Sequence, residues 1–500
     1  MGFTTSEDDK TNFVARAWSW IHHLSKTLIA KFVGIATMAK KLAQDDPRRV
    51  IHSAKVGLAI TLVSLFYYFQ PLYDSFGVSA MWAVMTVVVV FEFTVGATLG
   101  KGLNRALATL LAGALGVGAH HLANLCGKIG EPILIGLFVY IFAAASTFMR
   151  FFPKIKARYD YGFLIFILTF SFISISGYRA DEIIDLAHKR LSTIVIGGSV
   201  SLLTNTLIFP VWAGEELHNS VATNMEKLGH FLEGFGAIYL KTSEGEANTK
   251  DGNKSLFQGY KSVLNSKNTE EIMANFARWE PRHGLFRYHH PWNQYIKLGS
   301  LIRQCAYRID ALDAYFKPDI QKPAEILQEE IREACTKISL ESSKTLKKLG
   351  SCLKAMTHPS CSVNAHIVSS KAAVKILKTF LKSSSLYNQH SELLQIIPIA
   401  TLASLLIDIV DCTEKIAEFT YDLATLARFK VANESNNLEE KPIRSNINQL
   451  DHQGVNQVSQ VDCPQIVISV AELTLMTSKS VDHQGNTMVA NSDGQHSLED

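Results

Sequence analysis

Apolar and polar positions divide the chain into two regimes. Between Val56 and Met149 the acidic and basic side chains are Asp74, Glu92, Lys101, Arg105, Lys128 and Glu131, whereas from Glu215 onward charges recur every few positions. Six apolar stretches in the first regime, near 50–69, 78–95, 103–123, 132–151, 161–177 and 191–212, are each long enough to cross about 30 Å of hydrocarbon as a helix. The third carries Gly113, Ala114, Gly116, Gly118 and Ala119, small residues that let helices approach closely, and so reads as an interior helix. Arg49, Arg105 and Arg190 are each followed eight residues later by a glycine (Gly57, Gly113, Gly198), which predicts a repeated, closely packed helix entry. Ahead of the first stretch, Phe13, Ala17, Ile21, Leu24, Leu28, Phe32, Ile35, Ala39 and Leu42 recur at steps of three and four. That spacing predicts an amphipathic helix lying on a membrane surface or against the polar half.

Beyond Trp212 the period is helical throughout. Leu217, Val221, Met225, Leu228, Leu232 and Phe235 form one stripe, and Ile331, Cys335, Ile338, Leu346, Leu349, Leu353 and Met356 another. The longest runs through Leu402, Leu405, Ile409, Cys412, Ile416, Phe419, Leu423 and Leu426. A coiled-coil seam between subunits and a buried bundle helix give nearly the same stripe, and the bundle ranks first. From about Val431 the chain is rich in Asn, Gln, Ser, Glu and Asp, the composition of a disordered tail. The expected fold class is therefore all-α. Its parts are a segment 1–49 with the amphipathic helix, a six-helix membrane domain 50–212, a helical domain 213–430 and a tail 431–500.

Composition agrees with this division: 47% of residues are hydrophobic and 19% charged, against the pattern of a soluble enzyme of this length. A formal net charge of +3 gives no basic face for nucleic acid, and that partner class is set aside. The seven cysteines include no CxxC pair, so free thiols in a reducing compartment are expected rather than zinc or disulfides. No P-loop, GxGxxG, GxSxG, HExxH or kinase set is present, and no catalytic residue, cofactor or certain metal site is assigned. Lys and Arg fall before the first stretch (Lys40, Lys41, Arg48, Arg49), after the second (Lys101, Arg105) and after the fourth (Arg150, Lys154, Lys156, Arg158). The alternate loops are poorer in them, which places both termini in the cytosol.

Candidate chemistry then rests on charges at membrane depth. Lys101 and Arg105 are four apart and project to one side of a helix, and Arg190 opens the sixth stretch. Rings of Arg or Lys select anions by replacing lost hydration, with Arg105 expected toward the cytosol and Arg190 toward the outside; snorkelling headgroup anchors are the alternative. Glu92 lies within a run of valines and phenylalanines, and a partnership with Lys101 or Arg105 would satisfy it. Asp74, Asp181, Glu182 and Asp185 fall in segments expected to face outward, as solvated charge or as oxygen ligands of a regulatory hard cation.

Several long motifs carry a resemblance. They are Trp82-Ala83-Val84-Met85-Thr86-Val87-Val88-Val89-Val90-Phe91-Glu92-Phe93 followed by Gly96-Ala97-Thr98-Leu99-Gly100-Lys101-Gly102-Leu103-Asn104-Arg105, Asp45-Asp46-Pro47-Arg48-Arg49, Ser146-Thr147-Phe148-Met149-Arg150-Phe151-Phe152-Pro153 and Pro210-Val211-Trp212-Ala213-Gly214. In the polar half Trp279-Glu280-Pro281 and His290-Pro291-Trp292 join them. Over about residues 45 to 430 the sequence resembles the plant aluminium-activated malate transporter family. The resemblance implies a homodimeric anion channel in a lipid bilayer, six spans per subunit, a helical cytosolic domain, and pore-lining basic positions at Lys101, Arg105 and Arg190. The leading expectation is a malate-permeable anion channel exporting malate and other organic or inorganic anions across a plant membrane, the plasma membrane ahead of the vacuolar one. A coupled secondary carrier for organic or aromatic acids and a membrane-anchored helical scaffold are the alternatives.

Overall fold

A computed structural model describes residues 8–69, 81–177, 183–240, 259–287, 289–315, 329–382 and 393–431. Among them the chain is helical, with two isolated bridges, His283 to Phe286 and Thr357 to Lys430, and no extended strand. The helices are α1 (Asp8–Asp45), α2 (Pro47–Tyr68), α3 (Met81–Val90), α4 (Val95–Asn124), α5 (Gly127–Met149), α6 (Pro153–Gly177) and α7 (Ile183–Leu207). After Trp212 follow α8 (Ala213–Tyr239), α9 (Lys261–Leu264), α10 (Lys267–Ala277), α11 (Trp292–Tyr315), α12 (Glu329–Ala355), α13 (Cys361–Lys382) and α14 (Leu393–Ala427). The expected disordered tail lies outside the described residues.

Among the described residues four helices are long and apolar enough to cross a membrane: α2, α4, α5 from Ile129 and α6 to Ser176. The second and sixth expected stretches differ. α3 is apolar but ends at Val90, five residues before the expected limit, and residues 78–80 lie outside the described ones. α7 is long enough, but Ser, Thr, Asn and paired glycines dilute its apolar character. α4 and α6 each begin eight residues before the apolar stretch that announced them, because a helix continues through charged residues that a hydrophobic run excludes. Local chemistry sets the starts. Asp46 caps α2 by accepting from Arg48 N with Pro47 in the first turn, and Thr94 caps α4 by accepting from Ala97 N.

α2, α3 and α7 pack as one group around Ala59, Val63, Ala83 and Val87, and α4, α5 and α6 as another around Ala112, Ala119 and Phe170. α4 joins the two by also packing on α7, which bears out an interior position for one of its faces, while Leu103, Leu107, Leu110 and Leu111 cover an exposed face. The repeated glycine entry is not found: Gly57 and Gly198 face open space, and the close approach of α7 to α3 is at Gly197 instead, over the Ala83 carbonyl. α1 leaves Leu28, Phe32, Ile35 and Leu42 exposed.

The remaining helices build one large core. α12 packs on α8, α13 and α14, and α11 on α8 and α14. The α8 and α12 stripes are buried along their length; of the α14 stripe Leu402, Ile409, Ile416 and Leu423 are fully enclosed, Leu405, Cys412 and Phe419 are partly buried, and Leu426 is exposed. A buried ion pair joins Arg303 of α11 to Glu270 of α10, with Asn224 of α8 donating to the same carboxylate at 3.3 Å.

Candidate functional site

α4 is unbroken from Val95 to Asn124, so Lys101, Arg105 and Thr109, each four residues on, share one face. Arg105 is 7% exposed and donates through Nη1 to the Tyr161 hydroxyl of α6 at 3.1 Å. Arg190 of α7 is 5% exposed, its guanidinium carbon 4.0 Å from the Trp82 ring centroid and 3.8 Å from that of Phe172. Neither Nε has a hydrogen-bond partner, and among the described residues no carboxylate pairs with either guanidinium. The buried hydroxyls of Thr109 on α4 and Ser174 on α6 are likewise unpartnered. Gly113, two turns beyond Arg105, faces Ile173 of α6 and Ala187 of α7, and Arg190 follows Ala187 by one turn. The two arginines stand at successive levels between α4, α6 and α7, within electrostatic reach of one another. Buried positive charge without a counter-ion is costly, and an anion entering beside it would lower that cost.

Lys101 is arranged differently. It pairs with Glu92, both about one third exposed, and lies 5.8 Å from the Tyr161 ring centroid. Of the two partners considered for Glu92, Lys101 takes the carboxylate and Arg105 does not. The turn holding Glu92 is stitched to α7. Thr98 Oγ1 accepts from Glu92 N at 3.0 Å, and Asn205 Nδ2 donates to the Glu92 carbonyl at 3.0 Å and to Thr98 Oγ1 at 2.9 Å. Asn205 Oδ1 in turn accepts from Lys55 Nζ of α2 at 2.9 Å, and Lys55 also donates to the Phe209 carbonyl at 3.1 Å. Lys55 is 3% exposed and, among the described residues, is held by neutral oxygens alone. Sequence reasoning passed over it. A lone lysine just inside an apolar helix, and an asparagine near the end of another, were the available signals.

The Trp279-Glu280-Pro281 segment ends α10 and reaches back to α4. Glu280 is buried; its Oε1 accepts from Ala213 N at 2.6 Å and its Oε2 from Gly214 N at 3.0 Å, the first turn of α8. Gly96, in the first turn of α4, packs against the same carboxylate, so closely that a Cβ there would stand 2.8 Å from Oε1. One side chain thus satisfies two free N–H groups at the start of α8 and packs against the start of α4. Burial nevertheless outweighs these bonds and raises the carboxyl to about 7. The approach requires glycine: a Cβ at Gly96 would stand 2.5 Å from the Phe276 carbonyl, and one at Gly100 3.0 Å from the Trp279 ring. Trp279 also meets α6, with Arg158 4.7 Å above its ring. Nearby, the Tyr295 hydroxyl shares hydrogen bonds with His218 Nδ1 (2.9 Å) and His290 Nε2 (3.2 Å), and burial lowers both imidazoles to about 4.

Asp74, Asp181 and Glu182 lie outside the described residues, as does the side chain of Asp185, whose backbone belongs to the first turn of α7. Among the described residues no cluster of three His, Cys, Asp or Glu could hold a metal ion, and six cysteines are free thiols.

The family model described as "Aluminium activated malate transporter" matches residues 40–392. The chain is 52% identical over 449 residues to aluminum-activated malate transporter 2 of Arabidopsis thaliana, covering 90% of this chain and 87% of that protein. It is 52% identical over 394 residues to transporter 1 of the same plant, covering 78% and 79%. With aluminum-activated malate transporter 1 of Triticum aestivum it shares 45% over 441 residues, covering 87% and 94%. A match of this extent makes the chain a member of the aluminium-activated malate transporter family.

Proposed function

We propose that the protein is a malate-permeable anion channel that lets malate leave the cytosol across a plant membrane. The observation that carries this reading is the pair of buried guanidiniums of Arg105 and Arg190, uncompensated by acid and accompanied by the unpaired hydroxyls of Thr109 and Ser174. Donors fixed in a low-dielectric wall substitute for an anion's lost hydration, and two levels of charge let it pass from one to the next. Lys101 is the innermost basic position, neutralised by Glu92 until the pair parts. No step transforms the substrate; the membrane potential, worth roughly 2.3 kcal/mol per charge per 100 mV, drives a dianion outward.

In this reading α2 to α7 supply six spans, with α3 and α7 packed against the longer α2 and α4. Two copies place their Arg105 and Arg190 around a shared axis as a homodimer. α1 lays its exposed apolar stripe on the inner leaflet, both termini and the α8–α14 bundle lie in the cytosol, and the plasma membrane is favoured over the vacuolar one. Asp74, Asp181 and Asp185 form the outer acidic group.

The test is whole-cell current in cells loaded with malate, with external malate and chloride exchanged in turn. The expected current reverses where the malate gradient dictates, does not shift with a proton gradient, and falls at least tenfold in Arg105→Ala and Arg190→Ala at equal surface protein. Full currents in both variants refute the assigned pathway, and a reversal potential that follows pH would instead favour coupled transport.

A further inference from the structure

Where α6, the end of α10 and the loop before α11 meet, a cavity of about 400 Å³ is lined by Arg158, Arg278, Arg287, His290, Trp292 and Asn293. We propose that this cavity is a cytosolic regulatory site for a multiply phosphorylated anion, separate from the conduction pathway. Its side of the membrane rests on the orientation proposed above.

Three guanidiniums reach the cavity from three different elements, and among the described residues none pairs with a carboxylate. Arg278 donates to Asn275 Oδ1 at 3.0 Å and to Asn293 Oδ1 at 2.5 Å, neutral amides that orient the fork without cancelling its charge. Arg158 is stacked 4.7 Å from the Trp279 ring centroid and 5.5 Å from that of Tyr159, which holds its plane and leaves its edge free. These two like charges are within electrostatic reach of each other. Glu280 is the one acid among the lining residues, and its oxygens are turned toward the Ala213 and Gly214 amides. His290 also lines the cavity and is 6% exposed.

The volume falls in the ordinary range for a small-molecule ligand. A compact dicarboxylate occupies one or two guanidinium forks, whereas three forks spread over separate walls match an anion that carries several phosphates. Two sources share this chemistry. Exposed Phe151 and Phe152, followed by exposed Lys154 and Lys156, lead into α6 just before Arg158, an aromatic and basic pattern typical of headgroup depth. An inositol lipid headgroup could therefore enter from the leaflet, and a soluble inositol phosphate from the cytosol.

The experiment titrates the purified full-length protein with inositol trisphosphate by calorimetry. In parallel, the protein in phosphatidylcholine nanodiscs is compared with and without phosphatidylinositol bisphosphate, measuring malate current after transfer to a planar bilayer. Arg278→Gln, Arg287→Gln, their combination and the charge-keeping Arg287→Lys are compared with Arg105→Ala, each checked for a single gel-filtration peak. The expected result is saturable, salt-sensitive binding, or a lipid-dependent change in current, that weakens about tenfold or more in the double variant. Arg287→Lys recovers part of it, and Arg105→Ala leaves trisphosphate binding intact while abolishing current. A response to the soluble probe identifies a metabolite as the source, and a response to the lipid alone identifies the leaflet. Equal binding in wild type and double variant, or no saturable response to either probe, overturns the site. Loss of current in Arg105→Ala is read independently, so failure here and failure of the channel reading remain distinct.

Discussion

Replacing Glu280 with glutamine tests whether burial or hydrogen bonding dominates at the junction of α4 and α8. Glutamine has the shape of the protonated acid and never ionises. In the folded protein the carboxyl stands at about 7, raised by burial against the opposing pull of the Gly214, Ala213 and Gly96 amides, and with Glu215 adding to the rise. In the unfolded chain it returns to about 4.5. That difference corresponds to roughly 3 kcal/mol. Because the folded value is the higher one, the contribution is fully present below about 4.5 and is lost as pH rises through about 7. His218 and His290 work in the opposite direction: both are lowered to about 4, so their contribution is lost as pH falls through the range from 6.5 to about 4. They are common to both proteins, so the difference between wild type and Glu280→Gln isolates the carboxyl. Thermal unfolding in detergent at fixed scan rate, from pH 5 to pH 8, is the assay. The variant should match wild type near pH 5 and gain on it toward pH 8 by about 3–6 °C, given roughly 1–2 °C per kcal/mol for a chain of this size. A gap that does not change with pH, or one that widens toward acid, would refute the reasoning and show that the amide bonds outweigh burial.

Other positions yield sharp contrasts. Gly96→Ala should destabilise by about 1–3 kcal/mol through its clash with the Phe276 carbonyl, whereas Gly118→Ala, which meets nothing within 4 Å, should be neutral or stabilising by up to about 1 kcal/mol; melting temperatures of the pair decide this. Lys55→Met and Asn205→Leu, singly and together, should show a coupling energy of about 0.5–3 kcal/mol in a double-mutant cycle, and strict additivity would dissolve the proposed network. Arg303→Ala strands the buried Glu270 and should cost about 3–5 kcal/mol, with Arg303→Met combined with Glu270→Leu recovering most of the loss in expression and melting temperature.

Helical periodicity made most of the fold legible. The α8 and α12 stripes, and every second position of the α14 stripe, are buried where the three-and-four spacing placed them, because a repeated apolar face has little choice but to find a core. Membrane-depth helices were legible in their middles and not at their ends. The starts of α4 and α6 run through Lys101, Arg158 and Asp160, residues that a hydrophobic window treats as a boundary although the backbone continues helical. Arg105 and Arg190 stood out by charge in apolar surroundings, and Glu92 found one of its two foreseen partners. Their settings were not foreseeable, since the Tyr161 hydroxyl and the Trp82 and Phe172 rings come from segments remote in sequence. Trp279-Glu280-Pro281 was noticed as a motif, but nothing in its spacing said that Gly96 and Gly100 are small in order to receive it.

That reception makes α4 a lever. Gly96 packs at the first turn against Glu280, which is hydrogen-bonded to the start of α8, and the same uninterrupted helix carries Arg105 about 14 Å further along. A helix is stiff over that distance, so a tilt imposed on α8 by anything that binds the bundle arrives at the guanidinium without a separate relay. In the proposed channel the lever would also work in reverse: an anion that draws Arg105 toward itself would pull on the bundle, and occupancy in the wall would be felt at its far end.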